Sequence, residues 1–173
     1  MTVVLDVRNL TTRVATPTGA KTIIDDISFQ LLSEETLCIA GESGSGKSVT
    51  ALSIMALLPT NARITQGEIL LGQTDLLTMS DHQMQSIRGG EIAMIFQDPM
   101  TSLNPVMTIG RQLVEAISVH QNIYGDTARK IAIASLDAVR MSESSLRMKQ
   151  YPHELSGGMR QRVMIAMALA CNP

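Results

Sequence analysis

Apolar residues follow two different rhythms along this chain, and the change falls a little after residue 100. Before it, they alternate with polar residues or come in short unbroken runs. "VVLDVRNL" and "IIDDISFQLL" show this spacing and predict two strands, with "ATPTGAK" as the hairpin connection between them. "TLCIA", Thr36 to Ala40, predicts a buried strand that runs into the glycine-rich "GESGSGKS". "SVTALSIMALLP" then predicts a helix stopped by Pro59. "GEILLG" predicts a short strand bounded by glycines, and "EIAMIF" another buried strand. Between these two, Ser80-Asp81-His82-Gln83 has the form of a capping box, opening a short helix that ends near Gly89.

From Thr108 the spacing is helical. Ile109, Leu113, Ala116 and Ile117 share one face of a first helix. Asp126 is placed to cap a second helix reaching about Met141, with Ile131, Leu136 and Val139 buried. Most of "LSGGMRQRVMIAMALACNP", Leu155 to Pro173, predicts a third. Strands, then a helical block, then one more helix together predict an α/β core with a helical insertion between about Pro105 and Pro152.

Composition narrows the classes. The 173 residues suit one domain, with 45% hydrophobic and 17% charged residues and a net charge of −2, as in soluble globular proteins. Only 2% are aromatic, so aliphatic side chains and 12 methionines must fill the core. Few rings and no basic run argue against a nucleic-acid partner. Cys38 and Cys171 stand far apart at no metal spacing, which predicts two reduced, buried thiols. The N-terminus lacks the apolar core of a signal peptide, and runs such as "VMIAMALAC" are too short to span a bilayer. A cytosolic protein is expected. His82, His120 and His153 have no ligand spacing and are expected to be solvated or capping.

The chemistry begins at "GESGSGKS". Gly41 to Ser48 matches G-x-x-x-x-G-K-[ST], between a predicted strand and a predicted helix. Gly41, Gly44 and Gly46 let the backbone wrap so that successive N–H groups, including those of Glu42, Ser43, Ser45 and Val49, face phosphate oxygens. The following helix adds the positive end of its dipole. Lys47 can reach the β- and γ-phosphates, and the Ser48 hydroxyl can ligate Mg²⁺. A glycine-serine turn beside an ordinary lysine is the competing reading. The strand-loop-helix context favours a nucleotide-phosphate site.

"LSGGMRQ", Leu155 to Gln161, places Ser156 at a helix N-cap. Gly157 and Gly158 follow, where helix propensity disfavours them. Close approach of an anion to the helix start would explain them, and so would a flexible helix end with a serine cap; the segment alone does not choose.

With the P-loop present, the chain resembles the ATP-binding subunits of ABC transporters, whose signature is LSGGQ; here Met159 stands at the fifth position. The resemblance implies a P-loop NTPase core with a helical subdomain, MgATP as ligand and a head-to-tail dimer. In that dimer Ser156, Gly157 and Gly158 of one subunit face the γ-phosphate held by the other. Gln97 in "IFQDPMTSLNP" matches the family's Q-loop glutamine, which touches Mg²⁺ or the attacking water; alone it would be a solvated loop residue. The implied catalytic residues are therefore Lys47 and Gln97, and the implied metal ligands Ser48 and Gln97. "GESGSGKSVTA", "FQDPMTSLNP" and "YPHELSGGMRQRVMIAMAL" are similar to the dipeptide, oligopeptide, glutathione and nickel importer branch.

That branch implies uptake of peptides or a related small solute, with permease subunits, a second ATPase subunit and a separate solute-binding protein as partners. It also implies a site on the inner face of the membrane. A non-transport ABC ATPase and a non-catalytic nucleotide-binding module are the alternatives. The family's adenine-stacking ring would stand near Val14, where this chain has none, so adenine is expected to rest on aliphatic side chains. The expected division is residues 1–104 for the strands and P-loop core up to the Q-loop, and 105–173 for the helical subdomain, signature and following helix. Pro173 precedes the strand that would carry the Walker B aspartate and the water-polarising glutamate. A piece of a longer protein, unable by itself to hydrolyse ATP, is the expectation.

Overall fold

The computed structural model describes residues 2–98 and 102–173. They form two compact units, one ending at Met84 and the other beginning at Gln85.

The first unit is built on an antiparallel sheet in the order β2-β1-β3-β4, from β1 (Val3–Thr16), β2 (Gly19–Leu32), β3 (Ala62–Leu71) and β4 (Thr74–Asp75). The hairpin predicted at "ATPTGAK" is present. Thr16 pairs with Gly19 across Pro17-Thr18, and the Thr16 hydroxyl donates to the Gly19 carbonyl at 2.6 Å. Both strands are longer than their apolar alternation suggests, because β1 is paired on both sides along most of its length.

A bulge interrupts that pairing at Asn9, whose φ is 47°. The Asn9 N–H donates to Ser28 Oγ and its side-chain amide to Asp26, each at 2.8 Å. On the other side of β1, Gly67 lies so close that a Cβ there would come within 2.6 Å of the Arg8 carbonyl oxygen. Only glycine fits where the two backbones meet.

Leu5, Val7, Leu10, Ile24, Met55, Ile69 and Leu76 are buried in this unit. The helix after the glycine-rich loop, α1 (Lys47–Ile54), is tied to the sheet by a buried contact of 3.2 Å between the Thr12 and Ser53 hydroxyls. It ends well before Pro59. Ala56 takes a left-handed φ of 50°, and the N–H groups of Ala56 and Leu57 donate to the carbonyls of Ser53 and Leu52. That pair of bonds is a Schellman stop. The capping box at Ser80 is formed, with its N–H donating to Gln83 Oε1 at 2.9 Å, and opens α2 (Asp81–Ile87).

The second unit packs α3 (Ile109–Gln121), α4 (Gly125–Ala138) and α6 (Gly157–Ala170), with the single turn α5 (Ser144–Arg147) between the last two. Ile109, Leu113, Ile117, Ala128, Ala132, Leu136, Val163 and Ala166 are fully buried in one cluster. Methionines complete it, as the scarcity of rings requires: Met141, Met148 and Met164 are all buried. Ala116, Ile131 and Val139 are only partly buried. Asp126 does not cap α4. Tyr124 occupies the cap without a side-chain bond, and Asp126 lies in the first turn, where its charge still suits the helix dipole.

Two predicted buried strands are absent. Residues 36–40 have no regular structure and are exposed throughout, Ile39 by 46%. Residues 91–96 form one isolated bridge, Arg88 to Ile92, and leave Ile95 48% and Phe96 40% exposed. Apolar runs of this kind become strands only when neighbouring strands supply hydrogen bonds and cover both faces. Among the described residues no such neighbours exist. The expectation of two buried thiols fails with them: Cys38 is exposed and Cys171 half-buried.

Candidate nucleotide site

Gly41 to Ser48 forms the predicted loop ahead of α1. Gly44 and Gly46 have φ values of 83° and 96°, in the left-handed region that glycine alone enters freely. Gly46 is also the buried N-cap of α1, where a Cβ would press on the Ile23 carbonyl at 3.1 Å. Glycine here satisfies both the turn and the close approach of β2.

Lys47 folds back over its own loop. Its ammonium donates to the carbonyls of Gly41 at 2.7 Å and Glu42 at 2.6 Å, and to Ser45 Oγ at 3.3 Å. A cation held by neutral oxygens, with no carboxylate in contact with it among the described residues, can exchange them for phosphate oxygens. Glu42, Ser43, Ser45 and Ser48 are exposed, and Val49 is half-buried. The donors and the exposed Ser48 suit a polyphosphate with a hard divalent cation. Beside the loop lies a hollow of about 240 Å³ whose lining includes Ile24, Ala40, Gly41 and Lys47.

The second unit carries the other motif. Ser156 caps α6 and accepts from the Met159 N–H at 3.3 Å. Ser156, Gly157 and Gly158 are exposed, and a Cβ at either glycine would meet nothing within 4 Å among the described residues. Packing within the chain therefore does not require those glycines. Gln97 is exposed in an irregular segment rather than after a strand. Pro99, Met100 and Thr101 of the same motif lie outside the described residues.

Just beyond, the structure shows a residue that sequence reading gave no role. The buried Gln112 accepts from the Asn104 N–H at 2.9 Å and donates to the carbonyls of Asn104 at 3.0 Å and Met107 at 2.9 Å. It binds the segment after the Q-loop to α3. A polar side chain in the row of Ile109 and Leu113 was the available signal. His120, too, is not simply solvated: its ring packs where a Cβ on Gly89 would stand.

The ABC transporter family matches residues 24–173, which take in the glycine-rich loop, Gln97 and the capped glycines. This chain belongs to the ABC transporter family. Among curated relatives, the Oligopeptide transport ATP-binding protein OppD of Escherichia coli (strain K12) is 50% identical over 169 residues, 98% of this chain and 50% of its own length. The Dipeptide transport ATP-binding protein DppD of Bacillus subtilis (strain 168) is 50% identical over 171 residues, 98% of this chain and 51% of its own. The chain thus spans about half the length of these relatives. A solved dimer of the ATP-binding cassette MJ0796 bound to ADP and Pi superimposes with a TM-score of 0.86 at 27% identity, covering 98% of this chain and 70% of that one. The α/β fold of ABC ATPases is therefore the fold of this family member as well.

Proposed function

We propose that this chain is the nucleotide-binding part of the ATP-binding subunit of an ABC importer for peptides or a related small solute. The observation that carries the reading is the loop Gly41–Ser48, with Lys47 held by exchangeable oxygens at the head of α1. Its place in the ABC family and its similarity to OppD and DppD support the transport assignment.

In this reading the N–H groups from Glu42 to Val49 and the Lys47 ammonium hold the phosphates of ATP, and Ser48 is a ligand of Mg²⁺. Bound Mg²⁺ neutralises charge on the β- and γ-phosphates. Gln97 is the second ligand on the protein side and orients the nucleophile. Ser156, Gly157 and Gly158 clamp the γ-phosphate of a second subunit, in keeping with their exposure and with the unfilled space above both glycines. We place the functional boundary after residue 104, with the helical part beyond it facing the permeases. The subunit works on the inner face of the membrane with a second ATPase subunit, permeases and a solute-binding protein. Among the described residues no helix is long and apolar enough to cross a membrane.

Hydrolysis needs an oriented nucleophile as well as a phosphate cradle. The carboxylates Glu42, Asp98 and Glu154 occupy exposed positions and match none of the family's catalytic acids. We therefore expect these 173 residues to bind MgATP without turning it over. The test of the binding site is Lys47→Ala. Loss of a charge-assisted contact to phosphate should weaken MgATP binding by roughly 10- to 100-fold in an equilibrium titration. Unchanged affinity would remove the loop as the site.

A further inference from the structure

The few rings of this chain are placed unevenly. Val14 on β1 faces Lys21 and Ala62 across the sheet, so no ring stands at the hairpin position where the family resemblance puts the base. Tyr151 and His153, by contrast, stack on each other five and three residues before Ser156. Their centroids are 5.6 Å apart and their planes 15° apart. Tyr151 is 39% exposed, and His153 is exposed too.

The turn that presents them is fixed. Pro152–Glu154 is a short 3₁₀ turn in which the Tyr151 N–H donates to the Glu154 carboxylate at 2.7 Å. Arg160 on α6 donates to the Pro152 carbonyl at 2.6 Å. Leu155 and Pro152 are the buried anchors, so the rings are not what holds the turn down. The two rings stack, and both side chains are open to solvent. An exposed stacked pair, held on a pinned turn, suits a flat π-system.

We propose that this pair is the base platform of the composite nucleotide site. The purine of the nucleotide held by the opposing subunit's phosphate loop extends the Tyr151–His153 stack. The inference rests on the reading of Ser156–Gly158 as a clamp acting across a dimer. His153 stands three residues ahead of Ser156, on the 3₁₀ turn that leads into the clamp. Stacking requires only a π-face, so adenine and guanine nucleotides should be accepted alike.

The test uses the assembled full-length subunits and 8-azido-ATP. Illumination should attach the label to the peptide carrying Tyr151–His153, and Lys47→Ala should abolish the labelling. His153→Ala should weaken ATP binding about tenfold, within the range for losing one base–ring stack, and His153→Phe should restore most of it. Label confined to the hairpin around Val14, or ATP affinity unmoved by His153→Ala, would overturn this inference while leaving the phosphate site intact. Labelling indifferent to Lys47→Ala would overturn the underlying site and the platform with it.

Discussion

At the scale of single residues, the two cysteines report on burial from opposite ends of the chain. Burial raises the Cys171 thiol above its usual pKa, which lowers the thiolate fraction at any given pH. Cys38 is exposed in a segment without regular structure. In the 173-residue chain, iodoacetamide should modify Cys38 well before Cys171, and the Cys171 rate should keep climbing as pH rises past the normal thiol range. Equal rates at pH 7.5 would contradict the burial described here. The glycine-rich loop was legible residue by residue, because each position in it answers to a local rule: left-handed backbone at Gly44 and Gly46, a cation at Lys47, a hydroxyl at Ser48. Gln112 was not legible as a tether. Its role rests on three backbone groups of Asn104 and Met107, which precede α3, and spacing along the helix does not show that its side chain turns back to them.

Among the elements, α1 has the least expected ending. Ala56 pays for the Schellman stop with a left-handed φ, which costs an L-residue about 1–2 kcal/mol. Glycine removes that cost, although it also loosens the unfolded chain. Ala56→Gly should therefore stabilise the first unit by about 0.5–1 kcal/mol, read as a higher urea midpoint at unchanged slope. Ala134→Gly on the exposed face of α4 is the contrast, and should destabilise by about 1 kcal/mol. A lower midpoint for Ala56→Gly would mean that the helix end is not held as described. The helices of the second unit were readable because their information is local: the row of Ile109, Leu113 and Ile117 sets the buried face of α3 without reference to any other element. The runs at 36–40 and 91–96 were misread for the opposite reason. A strand buried on both faces is a property of its neighbours, and the pattern alone carries no record of whether they are present.

Across the whole molecule, the first unit carries the glycine-rich loop and the second carries the capped glycines, for which we propose a role toward a second subunit. A cleft of about 540 Å³ in the second unit is lined by Thr108, Arg111, Val114, Asp126, Arg129 and Lys149, three cations against one carboxylate. It belongs to the helical part that we propose faces the permeases, and its charge suits an acidic docking segment. Arg111→Glu in the full-length subunit should reduce transport at least tenfold and leave ATP affinity within about twofold, as expected for a buried interfacial charge pair. Normal transport by that variant would take Arg111 out of the interface. We propose that Gly41–Ser48 cradles the phosphates of ATP and that these 173 residues alone do not complete hydrolysis. Steady-state phosphate release tests it most directly, with the 173-residue chain, the full-length subunit and its Lys47→Ala variant assayed side by side. Turnover is expected from the full-length subunit alone, and Lys47→Ala should abolish it. Release by the 173-residue chain at a rate near that of the full-length subunit, and itself lost on Lys47→Ala, would contradict it.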